Sequence, residues 1–332
     1  MRFQTGVCVV AMLVLSACSS LPTIVPDLAR RPGAFAQPVK LVLLEGARSP
    51  LSATQSKAVL DRLQSAGKAT DIFDRHLALE EAIVGSPLTT GNDVTLLQDG
   101  PATYRAMLAA ITAARDHINM ETYILEEDDV GRQFAQALIG AQQRGVQVNL
   151  IRDSAGTFGT PAEFFQRLAD SGVAVLEFNP INPLAARKTW ELNQRDHRKL
   201  LIVDGRTAFL GGINISSVYS GGSYRRGTRA RPDDAPAWRD TDLQLRGPVV
   251  AEFQKLFMAT WEAQKGEPLK VKNYFPRQES AGQQVVRAIG SSPDEPFSQI
   301  YATLLSAIGS AETSVHITNA YFAPDPQLLA AV

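Results

Sequence analysis

The spacing of apolar residues divides the chain into short blocks of alternating period. Tyr104, Met107, Leu108 and Ile111 recur at i, i+3, i+4 and i+7, the stripe of an amphipathic helix. Residues 92–97 before it read as a strand, and Gly100-Pro101 breaks the run. An apolar run of strand length follows at 118–125. Residues 130–144 return to helical period and stop at Gly145. A strand at 146–152, a helix at 161–171 and a strand at 173–178 continue the series. Farther on, 199–203 reads as a strand, Asp204-Gly205 as its tight turn and 207–210 as the returning strand. A shorter strand-like run, 243–245, precedes Gly247-Pro248-Val249. Such alternation predicts an α/β fold built on a sheet flanked by helices.

The N-terminal part has a different pattern. Residues 7–15, behind Arg2, form an apolar segment too short for a spanning helix of about 20 residues. Leu15-Ser16-Ala17-Cys18 then resembles a bacterial lipobox. That resemblance implies a signal peptide over 1–17 and an exported lipoprotein anchored in the membrane by acylated Cys18. It would face the periplasm, and Ser19 in place of Asp favours the outer membrane. Residues 18–50 carry several prolines and little periodicity, as a tether would. Residues 51–90 hold two helical runs, one with Ala58, Leu60 and Leu63 and one with Phe73, Leu77 and Ile83. They read as a small N-terminal helical region.

Composition narrows the chemistry. The only cysteines are Cys8, in the signal, and Cys18, the acylation site, so neither a disulfide nor a thiolate metal site is expected. The four histidines (76, 117, 197 and 316) show no paired ligand spacing, so no metal or other cofactor is expected. The chain is 45% hydrophobic and 20% charged with a net charge of −1, typical of a globular protein. The lack of a basic excess argues against nucleic acid as partner.

The densest chemistry lies in HRKLLIVDGRTAFLGGIN, residues 197–214. Strand residues i and i+2 share a face. His197 and Lys199 therefore project together, while Leu200 and Ile202 point into the core. An imidazole beside a fixed ammonium can attack phosphorus while the cation holds the phosphate oxygens. Asn214, after two glycines that permit close backbone approach, could donate another hydrogen bond to the same phosphate.

This pattern, H-x-K-x4-D followed by G-G-x-N, resembles the signature of the phospholipase D superfamily at every position. The resemblance implies that His197 is the nucleophile and forms a phosphohistidine. It gives phosphate binding to Lys199 and Asn214, with Gly212 at the same phosphate, and a supporting role to Asp204. It also implies that Asp240, in Trp238-Arg239-Asp240, accepts a hydrogen bond from the imidazole, with Asp242 as its rival. Glu121, on the predicted strand 118–125, is a further carboxylate that could face the site. Arg225, Arg226, Arg229 and Arg231, with Tyr219 and Tyr224 nearby, form a loop that could meet anionic headgroups or phosphates.

An internal repeat sets the domain organisation. Ile111 aligns with Ile308, Ala114 with Ala311 and Ile118 with Val315 at one constant offset, and Tyr123 aligns with Tyr321 after one inserted residue. The resemblance to cardiolipin synthases and related phospholipase D proteins implies a mixed sheet flanked by helices. Its first catalytic half would span 91–270, and 271–332 would be a linker and the opening of a second half, with a strand at 315–322 short of partners. In that family a second histidine protonates the leaving alkoxide, and no second H-x-K-x4-D occurs here. A longer chain or a homodimer partner would supply it, and this chain alone is expected to be inactive as a monomer. The implied function is a phosphatidyltransferase or phospholipase acting on membrane glycerophospholipids such as phosphatidylglycerol, with cardiolipin synthesis as the specific version. The alternatives are a phosphodiesterase of nucleic acid from the same superfamily, or a lipoprotein that binds phospholipid without catalysis.

Overall fold

The computed structural model describes residues 42–66, 77, 80, 81, 84–181, 194–221, 238–292, 298–319 and 321–332. The signal segment, Cys18, most of the second helical run of 51–90 and the arginine loop at 225–231 lie outside the described residues. The chain divides into two units. One comprises Leu43–Ala58 and Ser86–Pro293; the other comprises Met1–Val42, Val59–Gly85 and Asp294–Val332. Helix α1 (Ala53–Ala66) spans the boundary between them.

The larger unit contains the catalytic motif. Strand β1 (Leu88–Leu97) is followed by helix α2 (Gly100–Ala113), β2 (His117–Thr122), α3 (Asp129–Gln143) and β3 (Gln147–Asp153). Then come α4 (Ala162–Asp170), β4 (Ala174–Phe178), β5 (Leu200–Val203), β6 (Thr207–Gly211), β7 (Asp242–Arg246), α5 (Val249–Ala263) and β8 (Gln284–Arg287). Helix α2 starts where the sequence indicates: the Asp99 carboxylate accepts the Ala102 amide at 2.9 Å and Pro101 occupies the first turn.

The eight strands form one mixed sheet in the order β4-β3-β2-β5-β6-β7-β1-β8. β2, β3 and β4 run parallel and the remaining pairings are antiparallel. Helices cover both faces. On one, Tyr104, Met107 and Ile111 of α2, Phe134 and Leu138 of α3 and Phe164 and Leu168 of α4 pack with Ile118, Leu201 and Phe209. On the other, Val250, Phe253, Phe257 and Trp261 of α5 pack with Ile151, Leu200 and Ile202. With both faces covered, every residue of β5 is buried.

The predicted hairpin forms. Three residues, Asp204 to Arg206, connect the paired Val203 and Thr207; Asp204 and Gly205 both have positive φ, 54° and 60°, and the Arg206 amide donates to the Val203 carbonyl at 3.0 Å, the geometry of a type I′ turn. Asp204 tolerates this conformation while its carboxylate accepts the amides of Arg115, Asp116 and His117 at 2.8–3.2 Å. It thereby fastens the hairpin to the start of β2. Substitution Asp204→Ala is expected to destabilise the protein by about 2–4 kcal/mol, since three amides lose a charged acceptor; chemical denaturation reads this directly.

β8 pairs with β1 across a bulge at Thr90/Asn92, so the larger unit includes residues beyond 270 and runs to Pro293. In the smaller unit, α6 (Gln299–Gly309) and α7 (Pro326–Ala331) form, and Asp325 accepts the Tyr301 hydroxyl at 2.6 Å and caps α7 through the Leu328 amide at 2.8 Å. The strand expected at 315–322 does not form among the described residues. Val315, Ile317 and Phe322 are exposed, because no neighbouring strand supplies a ladder.

Candidate functional site

Parallel strands place their carboxyl ends along one edge of a sheet, and ligand sites of α/β folds gather there. At that edge Asp153 closes β3 and Tyr123 follows β2. His197 and Lys199 enter antiparallel β5, Asn214 leaves β6, and Asp240 and Asp242 enter β7. The edge is therefore assembled from segments far apart in sequence.

His197 and Lys199 do project together. Nζ of Lys199 lies 3.3 Å from Nδ1 of His197 and donates to the His197 carbonyl at 2.7 Å. The Tyr123 ring lies 4.5 Å from the imidazole centroid and 5.2 Å from Nζ. Lys199 is buried, and burial pulls its ammonium down to about 8 against the upward pull of Asp196, Asp240, Asp242 and Asp153. Burial also lowers the His197 pKa, and Lys199 lowers it further, while Asp196 and Asp153 oppose them. The imidazole is thus held neutral, the form with a lone pair for attack.

The carboxylates depart from the implied scheme. Asp240 carries no hydrogen bond to His197 among the described residues. Its Oδ1 accepts the Thr241 amide at 2.8 Å, and the carboxylate lies so close over Gly212 that a Cβ there would collide with it. The imidazole Nδ1 faces Lys199 instead. Gly212 is therefore a spacer for Asp240, and its amide, donated to the Thr241 carbonyl at 3.1 Å, is not presented to phosphate. Asp242 accepts the Ile213 amide at 3.1 Å and leaves Oδ2 buried and unpartnered among the described residues. Burial and the repulsion of Asp240 raise it to about 7.

Asn214 follows β6 with its side-chain amide engaged in the fold. Oδ1 accepts the Ile124 amide and Nδ2 donates to the Tyr219 hydroxyl, both at 3.1 Å. Nδ2 carries two hydrogens and that bond uses one. The Tyr104 hydroxyl donates to the Asn214 carbonyl at 2.6 Å.

Two expected members lie elsewhere. Asp204 sits at the far end of β5, separated from His197 by about 20 Å of extended chain, and serves as the anchor described above. Glu121 pairs in register with Leu200, so it shares the α5 face with Arg198, opposite to Lys199. There Arg198 Nη1 contacts Glu121 at 3.3 Å and donates to Thr260 Oγ1 at 2.6 Å, while Nη2 donates to the Ser291 carbonyl at 2.8 Å. Burial, then repulsion from Asp196, raises the Glu121 pKa well above the carboxylate range, and Arg198 only partly offsets this. Sequence reasoning missed Asp153, Asp196 and Tyr123. Only Asp196, beside the motif, carried a positional hint.

Comparison with known proteins decides the family. Residues 107–220 match the family described as "Cardiolipin synthase, PLD-like domain". A cardiolipin synthase of Alkalihalophilus pseudofirmus is 33% identical over 250 residues, 74% of this chain and 47% of that protein. Cardiolipin synthase A of Pseudomonas entomophila is 35% identical over 252 residues, 74% of this chain and 49% of that protein. The chain belongs to the phospholipase D superfamily.

Within that superfamily the match runs well beyond the motif, since the family region ends at 220 and the relatives align over three quarters of the chain. The chain spans about half the length of the curated relatives it matches. Among solved structures, a phospholipase D family member, Nuc from Salmonella typhimurium, aligns with a TM-score of 0.38 at 18% identity, covering 54% of this chain and 99% of that one. That similarity is too slight to add to the assignment. The H-x-K pair described above agrees with the family found by sequence.

Proposed function

We propose that the protein transfers a phosphatidyl group between alcohols through His197, with phosphatidylglycerol or a similar glycerophospholipid as donor. A single observation carries this reading. The His197 imidazole and the Lys199 side-chain nitrogen stand 3.3 Å apart at the carboxyl edge of the sheet, in a chain whose relatives are named cardiolipin synthases.

In the first step a ring nitrogen of His197 forms a bond to phosphorus and the bond to the leaving alcohol oxygen breaks. The arriving phosphate draws the Lys199 ammonium onto its oxygens and away from the imidazole, and the ammonium offsets the charge gathering there. A second imidazole, from the other half of a longer chain or from a second copy, protonates the leaving alkoxide. In the second step an acceptor hydroxyl gives its proton to that base and attacks phosphorus, and the nitrogen–phosphorus bond breaks. Water in place of the alcohol yields hydrolysis. Anchoring by acylated Cys18 would keep this edge at a membrane surface where the substrate resides.

The test is a trap. Protein mixed with acyl-labelled phosphatidylglycerol, quenched in base and mapped by mass spectrometry, should carry the phosphatidyl mass on His197. A label on another residue, or turnover with His197 unmodified at every time point, would overturn the reading.

The pH dependence follows from the two shifts. His197 has a lowered pKa, so the neutral nucleophile persists below the ordinary imidazole value of about 6.5. Lys199 loses its charge at about 8, so phosphate stabilisation falls as pH rises through that value. The profile of kcat/KM should be a bell with its acid limb below the usual histidine range and its alkaline limb near 8. An alkaline limb at the ordinary lysine value would contradict the burial of Lys199.

A further inference from the structure

Asp153 is fully buried, and each of its carboxylate oxygens is committed. Oδ1 accepts the amides of Ala155 and Gly156 at 2.8 and 2.9 Å, closing the turn that leaves β3. Oδ2 accepts the amide of Asp196 at 2.9 Å, one residue before His197. The turn is itself packed on the residue beside the imidazole: a Cβ on Gly156 would collide with the Tyr123 carbonyl, and the Tyr123 ring faces His197 at 4.5 Å. Arg195 reinforces the tie. Its Nη1 lies 3.9 Å from Asp153 Oδ1 and donates to Ser154 Oγ at 2.7 Å. One carboxylate thus fixes the backbone on one side of the imidazole and, through its turn, the aromatic wall on the other.

We propose that Asp153 is the positioning residue of His197, holding the imidazole in its attacking place from the end of β3. The proposal rests on the reading of His197 as nucleophile. Asp153 does not touch the ring, so its effect passes through the Asp196 backbone and the Tyr123 wall. It also acts through charge. The groups that bear on His197 are Lys199 just before β5, Asp196 in the preceding segment and Asp153 at the end of β3, with the Tyr123 ring beside it. Asp153 is one of the two carboxylates that raise its proton affinity against burial and Lys199. Replacement by a neutral group of the same shape should therefore alter both place and protonation.

The experiment uses the full chain and phosphoramidate, a small phosphoryl donor, with phosphohistidine mapped by mass spectrometry across a pH series. This reads the reactivity of His197 without requiring lipid turnover. Asp153→Asn offers one carbonyl oxygen and one amide group where three N–H donors converge, so one side of the clamp must open. It should label His197 about tenfold more slowly or worse, as a displaced reactive group does, and its pH midpoint should move down. Asp153→Glu keeps the charge but moves it by one methylene. It should also label slowly, without the downward shift.

Cooperatively folded variants that both label at the wild-type rate and midpoint would overturn the proposal and leave Asp153 as a loop tie. If neither variant folds, the wild type decides. Hydrogen exchange at the Asp196 amide as slow as at the β5 amides supports the clamp, and exchange at the rate of an open loop refutes it. If phosphoramidate does not prefer wild-type His197 over the other histidines, the nucleophile reading fails. The midpoint of His197 by nuclear magnetic resonance in wild type and Asp153→Asn then still tests the electrostatic role. A lower midpoint in the variant supports it and an unchanged one sinks it.

Discussion

Substitution His197→Ala is expected to abolish both the trapped phosphatidyl adduct and turnover, lowering kcat by at least about 10³-fold, as loss of a nucleophile that works together with its neighbours does. The physical ground is the absence of a substitute. Lys199 Nζ stands 3.3 Å from the imidazole, and a lysine held charged below about pH 8 has no lone pair to offer. Asp153 is buried with both oxygens committed to backbone amides, so it cannot take the place of the imidazole. Steady-state assay beside mass mapping separates the outcomes. Residual turnover above about 1% of wild type, with label on another residue, would relocate the chemistry.

The second large effect is expected at Lys199. Lys199→Met keeps the length of the side chain and removes the charge that meets the phosphate oxygens. The expected loss is about 10²–10³-fold in kcat, the scale seen when one preorganised stabiliser of developing charge is deleted. Stability should respond differently. The buried ammonium pays a desolvation cost that methionine does not, and its carboxylate neighbours can take up protons, as Asp242 already tends to near pH 7. The melting temperature should remain within about 5 °C of wild type. A variant that is inactive because it is unfolded would refute this division between chemistry and fold.

The sequence made some of this arrangement legible and hid the rest for physical reasons. The β5–β6 hairpin was readable because a tight turn of this kind demands residues that accept positive φ, and Asp204-Gly205 meets the demand. Strand parity placed His197 and Lys199 on one face without knowledge of any neighbour. Parity within one strand could not assign Glu121, since its face depends on the register of β2 against β5. Asp204 supports the hairpin from a distance for a related reason: a motif compact in sequence is stretched along a strand, so its ends reach opposite edges of the sheet. β8 was invisible because four residues, Gln284 to Arg287, are too few to establish a period. The strand foreseen at 315–322 had the right apolar residues and no ladder to join. Asp153 had no local signature. Its role exists only because the segment before His197 folds back onto the end of β3.

The burial of β5 on both faces, with β2 and β6 bonded along its edges, has a consequence for motion. A strand so enclosed cannot open by itself; its amides meet water only when the whole sheet comes apart. His197 and Lys199 lie just outside it, in the irregular segment 194–199 that leads into β5, so only the C-terminal end of that segment is held by the strand. In the proposed reaction, any adjustment to an arriving phosphate therefore falls on this short segment and on the ligand, while the sheet behind them stays closed.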